Sequence, residues 1–508
     1  MTRLILKISL LLGFIACFGV EGSVNTYSYP DTICKSNHGE NSRSTKYSVK
    51  VIQHGVASSA YVMFDKNQEE EGNLTANPHN HWTNFSYKGD VAVEIERLDG
   101  QPITDVGIYP LKKGYVASIN GKKAILNIAA SSVPLQLFVR MNGLEKDSLF
   151  LFADPIETDI PNIKDKNVAL IRTGDDIDTV YKKLNGKEKT VVFSEGVHRW
   201  GSEVGPDYKG YKLPLNSNKN IYIPGGAYVV GSFSGKDKSD VKVYGRGIIS
   251  GCGLDRIANT KGIPFTLINM DGAGKNQTVE GLVLIDAPHF NILLRGEKSL
   301  VDNVKMMSWW HQTDGITLGN KSVGKNSFYK VDDDNIKLYG DNGYYENNTF
   351  FHQINGAPFQ FSWGGSSQHG DGNRIVNSYI VESIYKNMKD TSNTAVINSR
   401  SGNDSLTENN SWDGLYIDNG CHRLVGLDGG DKSGPYKNFT IKNVEINTLG
   451  NKPPQASWSY LVRGKFENIR IENLLVNGKK ITATNENAEA TDKGQLWVHG
   501  DTQALKIQ

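Results

Sequence analysis

Two short stretches place acids where apolar residues frame them. "QTDGI" spans 312–316 and "KVDDDNIKLY" spans 330–339. Val331, Ile336 and Leu338 have the spacing of buried strand positions, yet Asp332, Asp333 and Asp334 stand between them, with Asp314 one short span upstream. Adjacent carboxylates repel, and desolvating any of them is costly. Asp314 and Asp333 are 19 residues apart, roughly one coil of a stacked-strand solenoid, in which neighbouring coils lie about 4.8 Å apart. The spacing predicts that these two stand one above the other on an outer face, with Asp334 beside them. Such a group splits its titration: one member holds its proton because its neighbours are charged. Glycoside hydrolysis needs that split, one acid to protonate the leaving oxygen and another carboxylate to activate water or attack.

Aromatic and amide side chains gather near the acids. Trp309, Trp310 and His311 precede Asp314, Tyr339 follows the second stretch, and "FQFSW" brings Gln360 and Trp363 about one coil later. Sugar rings lay their C–H faces on aromatic planes, so a solvent-facing groove of tryptophan and carboxylate suits a carbohydrate; packing is the competing role for any one tryptophan. Trp310, Gln312, Lys337, Tyr339, Gln360 and Trp363 are the candidate substrate-binding residues. The aspartates have other readings. A calcium loop would need alternating ligands and a turn glycine that "DDDNIK" lacks. A solvated acidic turn is the usual fate of a charge run. A polysaccharide lyase would use the acids for calcium and Lys337 or Arg374 as base, and a binding solenoid would hold sugar without turnover. No metal or cofactor is expected.

The elements that must position these residues fall into two textures. From about 45 to 153, short alternating strands such as "KYSVKVIQ", "DVAVEIERL" and "PLQLFVRM" are separated by Gly- and Asn-bearing turns, the pattern of an antiparallel sandwich. A polar, Pro-containing boundary, "DPIETDIPNIKDKN", follows. Beyond it a strand–turn–strand unit recurs, as in "QTVEGLVLIDAPHFNILL" and "YKNFTIKNVEIN". The units are roughly 22 residues apart at first and about 30 later, a period that fits stacked repeats. With short β-branched strands and no convincing amphipathic helix, the reading is a parallel β-helix; a propeller would want a longer period and Trp-Asp marks. "PGGAYVVGSF" and "VYGRGIISG" read as early coils with glycine corners. The expected fold is all-β: residues 23–160 an N-terminal β-sandwich and 161–508 a parallel β-helix that carries the catalytic face.

Bulk composition narrows the partners. The 508-residue chain has a net charge of +1, which gives no basic footprint for nucleic acid or anionic membrane. Residues 1–22 carry Arg3 and Lys7, then an apolar run, then small residues: a secretory signal peptide, with a lipid anchor on Cys17 as the minority alternative. The later chain has no run of about 18 apolar residues, so no membrane span is expected. The mature protein is expected to be secreted and monomeric, with a polysaccharide as its partner. Past residue 22 only Cys34, Cys252 and Cys421 remain. An odd count leaves a free thiol and argues against a disulfide scaffold, so buried structural thiols are expected. Sequons occur at Asn73, Asn84, Asn276, Asn320, Asn347, Asn403, Asn409 and Asn438.

The paired stretches resemble glycoside hydrolase family 49, the secreted dextranases and isopullulanases, whose pattern is similar to Q-T-D-G-I followed by V-N-D-D-A-I-K-I-Y. The layout of sandwich and right-handed parallel β-helix is also similar. The resemblance implies that Asp314, Asp333 and Asp334 are the three catalytic carboxylates, acting with inversion. It implies Asp333 as general acid, with Asp314 and Asp334 holding and deprotonating water. Asp332 departs from the family's Asn, and Asn335 from its small residue. The polygalacturonases are similar in "TDGI" and the paired aspartates, but want an Asn where Gln312 stands, a Gly-His-Gly and an Arg-Ile-Lys; "SQHGDG" offers only His369. A neutral glucan therefore fits better than a polyuronate, and the resemblance to family 49 implies an α-glucan of the dextran or pullulan type.

Overall fold

The computed structural model describes residues 23–36, 39–67, 79–143, 148–200, 210–254, 266–310, 312–363, 370–385, 395–400, 405–448, 459–482, 484–486, 496–501 and 503–508. The signal-peptide reading, the Cys17 alternative, His311, His369, Asn73 and Asn403 lie outside these residues.

The N-terminal strands form two stacked sheets. One has five antiparallel strands, in the order Ala117–Asn120, Lys123–Ile128, Val91–Arg97, Tyr47–Gln53, Val56–Ala60. Tyr47–Gln53 and Val91–Arg97 alternate strictly between buried and half-buried residues, as expected when one face packs and the other meets solvent. The other sheet has eight strands, with His79–Lys88, Leu149–Pro155 and Leu135–Met141 side by side. Leu135–Met141 and Leu149–Pro155 read as nearly unbroken apolar runs, because both faces are covered. Leu137, Val139, Leu149 and Leu151 point into the sandwich core. Phe138, Phe150 and Phe152 point the other way, into a second core shared with the long C-terminal part.

That part is a parallel β-helix with three ladders of strands. Two ladders run into one another as a 22-stranded sheet, and the third is a 12-stranded sheet. In the third ladder Ile268, Ile292, Ile316, Ile336, Phe359, Ile397 and Val425 are successive register partners, an inward stack that fixes which residues face out. The earlier of the two quoted repeats is one coil: Gln277–Glu280, Val283–Ile285 and Ile292–Leu294 contribute one strand to each ladder. One short amphipathic helix, Ile177–Leu184, departs from the all-strand expectation. The Asp176 side chain caps it through Thr179 N–H at 2.8 Å, and Val180 and Leu184 cover the first coil's apolar end, an end every solenoid must close.

The sandwich docks along the helix. Ile248, Val283, Phe328 and Phe351 of the middle ladder pack on Phe138, Phe150, Phe152 and Trp82. Lys305 occupies the same outward column, in register with Val283 and Phe328, and donates to both Asp154 carboxylate oxygens, at 2.8 and 2.6 Å. Cys34 of the sandwich and Cys252 of the helix form a disulfide across 218 residues. This corrects the expectation of buried thiols: docking, not sequence proximity, brings these two together. Cys421 is free and buried. Among the described residues, no helix is long and apolar enough to cross a membrane.

Four of the described sequon asparagines serve the bends of the coils, whereas Asn84 is buried in the strand His79–Lys88. Asn276 donates to Asp240, Asn347 to Asn326 and Asn438 to Asn409, and Asn276, Asn347, Asn409 and Asn438 all have positive φ. Asparagine tolerates that conformation and hydrogen-bonds along the stack, which accounts for the repeated Asn in the coil units.

Candidate active site

The third ladder positions the acids. Ile316–Leu318 and Ile336–Lys337 pair in parallel with Ile316 opposite Ile336 and Thr317 opposite Lys337. That offset of 20 residues stacks Asp314 on Asp334, not on Asp333 as the 19-residue spacing suggested. Gly315 N–H donates to Asp334 C=O at 2.8 Å, and Asp334 N–H is shared between Asp314 Oδ1 at 3.2 Å and Asp333 Oδ1 at 2.9 Å. One carboxylate oxygen from each of the three acids lies within 4.8 Å of the others. Gly315 sits between the coils: a Cβ there would lie 2.2 Å from Asn335 O, so the motif's glycine is a condition of the stacking.

One cation is built into this group. Lys337 Nζ donates to Asp314 Oδ2 at 2.6 Å and lies 3.6 Å from Asp334 Oδ2. Its ammonium also sits over the Phe290 ring, 4.6 Å from the centroid, and 5.7 Å from that of Tyr339. Asp314 and Asp334 are buried and Asp333 is half-buried. Burial pushes Asp314 up to about 7, with Lys337 pulling down and Asp333 pushing up. Burial and the Asp333 charge push Asp334 well above the usual carboxylate range, against Lys337. Asp333 is raised by burial against Lys337 and its hydrogen-bond donors. Lys337 is raised because the nearby carboxylates, Asp314 first, outweigh its burial. Three carboxyls facing one ammonium titrate as a unit that keeps a proton above the ordinary carboxylate range. Among the described residues this is the one close grouping of acidic, His or Cys side chains able to hold a metal ion; Lys337 already supplies it with positive charge.

Coils on either side hold the acids in place. Asn291, one coil earlier, donates to Asp314 C=O from both its backbone N–H, at 2.8 Å, and Nδ2, at 3.0 Å. One coil later, Asn355 Nδ2 donates to Asp333 Oδ2 at 2.9 Å and Ala357 N–H to Asp334 Oδ1 at 3.2 Å. Gln312 N–H donates to the same Asp333 oxygen at 3.1 Å. Sequence reasoning missed Phe290, Asn291, Asn355 and Ala357. Their signal was their distance of about one coil from an aspartate, visible only once the coil length is known.

The candidate binding residues divide. Gln312 is exposed and Tyr339 half-buried beside Lys337. Trp363 is 39% exposed, with the Arg400 guanidinium 5.3 Å from its ring centroid. Trp310 is only 7% exposed and its indole lies near the buried Asp286 side chain, which corrects the expectation of a solvent-facing ring. Gln360 is fully buried: its Nε2 donates to Ser362 C=O and its Oε1 accepts from Asn398 Nδ2 at 2.8 Å. It occupies the ladder position next to Lys337 and supports the wall from within. Arg374 lies on another ladder, over Tyr344, so Lys337 alone of the two lyase bases stands at the acids.

Known proteins give this geometry a class. No protein-family model matches the chain. A dextranase from Arthrobacter sp. (strain CB-8) is 23% identical over 514 residues, covering 83% of this chain and 77% of the relative. An isopullulanase from Aspergillus niger is 23% identical, covering 87% of each. The solved structure of Dex49A from Penicillium minioluteum superposes with a TM-score of 0.74 at 19% identity, over 96% of this chain and 98% of its own; that likeness carries the fold. Sandwich, β-helix and distant relatives spanning most of the chain define a glycosidase. Within that class its relatives include dextranases and an isopullulanase, the proteins of the family that the two acidic stretches resemble.

Proposed function

We propose that this protein is a secreted glycosidase that cleaves internal bonds of an α-glucan of the dextran or pullulan type, with inversion at the anomeric carbon. The observation that carries the reading is the Asp314–Asp333–Asp334 group around Lys337. Asp333, the most accessible of the three, donates its proton to the departing glycosidic oxygen. Asp314 and Asp334 accept hydrogen bonds from the attacking water and take its proton. Lys337 bonds Asp314 directly and favours its ionised form, and the three carboxyls together keep a proton, so a base and a protonated acid coexist a few ångströms apart. The substrate class rests on the relatives, which are a dextranase and an isopullulanase. Tyr339, Gln312 and Trp363 line the approach. Inversion rests on the family, because the closest oxygens, within 4.8 Å, are nearer than the roughly 6.5–9.5 Å between carboxyl groups usual for inverting sites.

Wild-type protein should release reducing sugar from dextran or pullulan, and the first product should have the anomeric form opposite to the bond cleaved, read by NMR during turnover. Asp333→Asn should lower kcat at least 10³-fold, on the order of the general-acid contribution. Wild-type activity in that variant refutes the acid assignment, a retained anomer refutes inversion, and unsaturated products would make the enzyme a lyase. Export is part of the reading: mature protein from culture medium should lack residues 1–22, and a chain still beginning at Met1 removes it.

A further inference from the structure

Asp332 is the one acid of its run outside the proposed chemistry, and it is 8% exposed. Its backbone N–H donates to Thr313 Oγ1 at 3.1 Å, and that hydroxyl donates to Trp310 C=O at 2.6 Å. Its carboxylate Oδ1 accepts at 3.2 Å from Asn355 N–H, which also donates to Gln353 C=O at 2.8 Å. The same asparagine reaches Asp333 Oδ2 with its side chain at 2.9 Å. One residue thus spans two neighbouring aspartates, its main chain on one and its amide on the other. The next residue, Gly356, lies so close that a Cβ would fall 2.2 Å from the Asp333 carbonyl carbon and 2.3 Å from Asp334 N. The turn therefore has little freedom to settle over Asp333 by itself.

We infer that Asp332 is a positioning residue: it anchors the backbone of Asn355 so that the Asn355 amide holds the Asp333 carboxyl in line for proton transfer. The inference rests on the reading of Asp333 as general acid. Charged groups face both ends of the relay. Around Asp333 these are Asp314, Asp334 and Lys337. Near Asp332 stands the buried Lys330 amine, which burial lowers to about 7 against Asp332 and Asp65 of the sandwich and which donates to Gln353 Oε1 at 2.8 Å. Two actions of Asp332 can therefore be told apart. A hydrogen bond donated to an ionised acid stabilises its charged form, so losing the Asn355 amide raises the Asp333 pKa. Losing a neighbouring negative charge lowers it.

The test measures kcat, KM and the alkaline limb of kcat/KM for Asp332→Ala, Asp332→Asn, Asn355→Ala and the double Ala variant, with thermal unfolding of each. Asn355→Ala and Asp332→Ala should each lower kcat about tenfold with KM unchanged and move the alkaline limb upward. The double variant should be no worse than the poorer single one. Asp332→Asn keeps an acceptor for Asn355 N–H and should bring the limb back, and it is the informative variant should Asp332→Ala fail to fold. A downward limb in the Asp332 variants, an unmoved limb in Asn355→Ala, or additive losses overturn the inference. Asp333→Asn run alongside separates the two readings: if it stays active the acid assignment has failed, whereas an inactive Asp333→Asn with unmoved limbs elsewhere sinks only the role of Asp332.

Discussion

Asp334 is buried against two other acids, and this placement opposes stability. A carboxyl whose pKa is raised in the folded state binds a proton there that it has lost in the unfolded chain. For Asp314, at about 7 in the fold against about 3.9 in a free carboxyl, the folded state binds more protons between those values. Stability therefore falls as pH rises through that window and levels off above it. Asp334 acts in the same direction. Asp334→Asn removes a buried charge facing Asp333 while leaving Lys337 its closer partner, Asp314. The variant should unfold about 2 °C or more higher than wild type at pH 7.5, with the gain shrinking towards pH 4 and activity lost. Calorimetry at the two pH values checks this, and a lower Tm at pH 7.5 contradicts it.

At the scale of elements, the site is made by register. Ile316 and Ile336 occupy one inward column, and the acids two residues before each are thereby stacked. The turn at 354–357 closes the site from the next coil and depends on Gly356, whose φ is +73°. Gly356→Ala combines a left-handed residue with a Cβ pressed into the Asp333–Asp334 peptide, a strain of about 1–3 kcal/mol before any clash is counted. The turn must move, taking the Asn355 and Ala357 donors with it. We expect kcat to drop at least 10²-fold with a modest loss of Tm. Unchanged kcat would show that this turn does not hold the acids.

At the scale of the whole molecule, the sandwich is a structural half of the enzyme. Its outer phenylalanines complete a core with the helix's middle ladder, and Lys305 is buried against Asp154 across the junction. The Cys34–Cys252 disulfide ties the halves together across 218 residues, and a cross-link over so long a loop restricts the unfolded chain strongly. Cys34→Ser should cost about 2–4 kcal/mol, measured by chemical unfolding in the absence of reductant, with kcat preserved at temperatures where the protein stays folded. A stability equal to wild type would mean that the docked surfaces alone suffice.

Much of this was legible in the amino-acid order. The period-2 strands, the recurring coil units and the acids framed by Val331 and Ile336 gave the two-part all-β fold and the catalytic candidates, because side-chain alternation and coil length are local properties. What lay beyond local pattern went astray or unseen. Register stacked Asp334 rather than Asp333 on Asp314, since the Ile316–Ile336 column sets the offset. Trp310 and Gln360 turned inward, because a single tryptophan in a bend or a single glutamine in a strand carries no mark of its face. Asn291 and Asn355 touch the acids only through coils that must first be laid against one another. The disulfide and the Lys305–Asp154 pair exist only once the sandwich docks on the helix. Sequence by itself determined which residue types are available and at what spacing; the tertiary structure decided which of them meet, because burial, register and docking are properties of segments far apart in the chain.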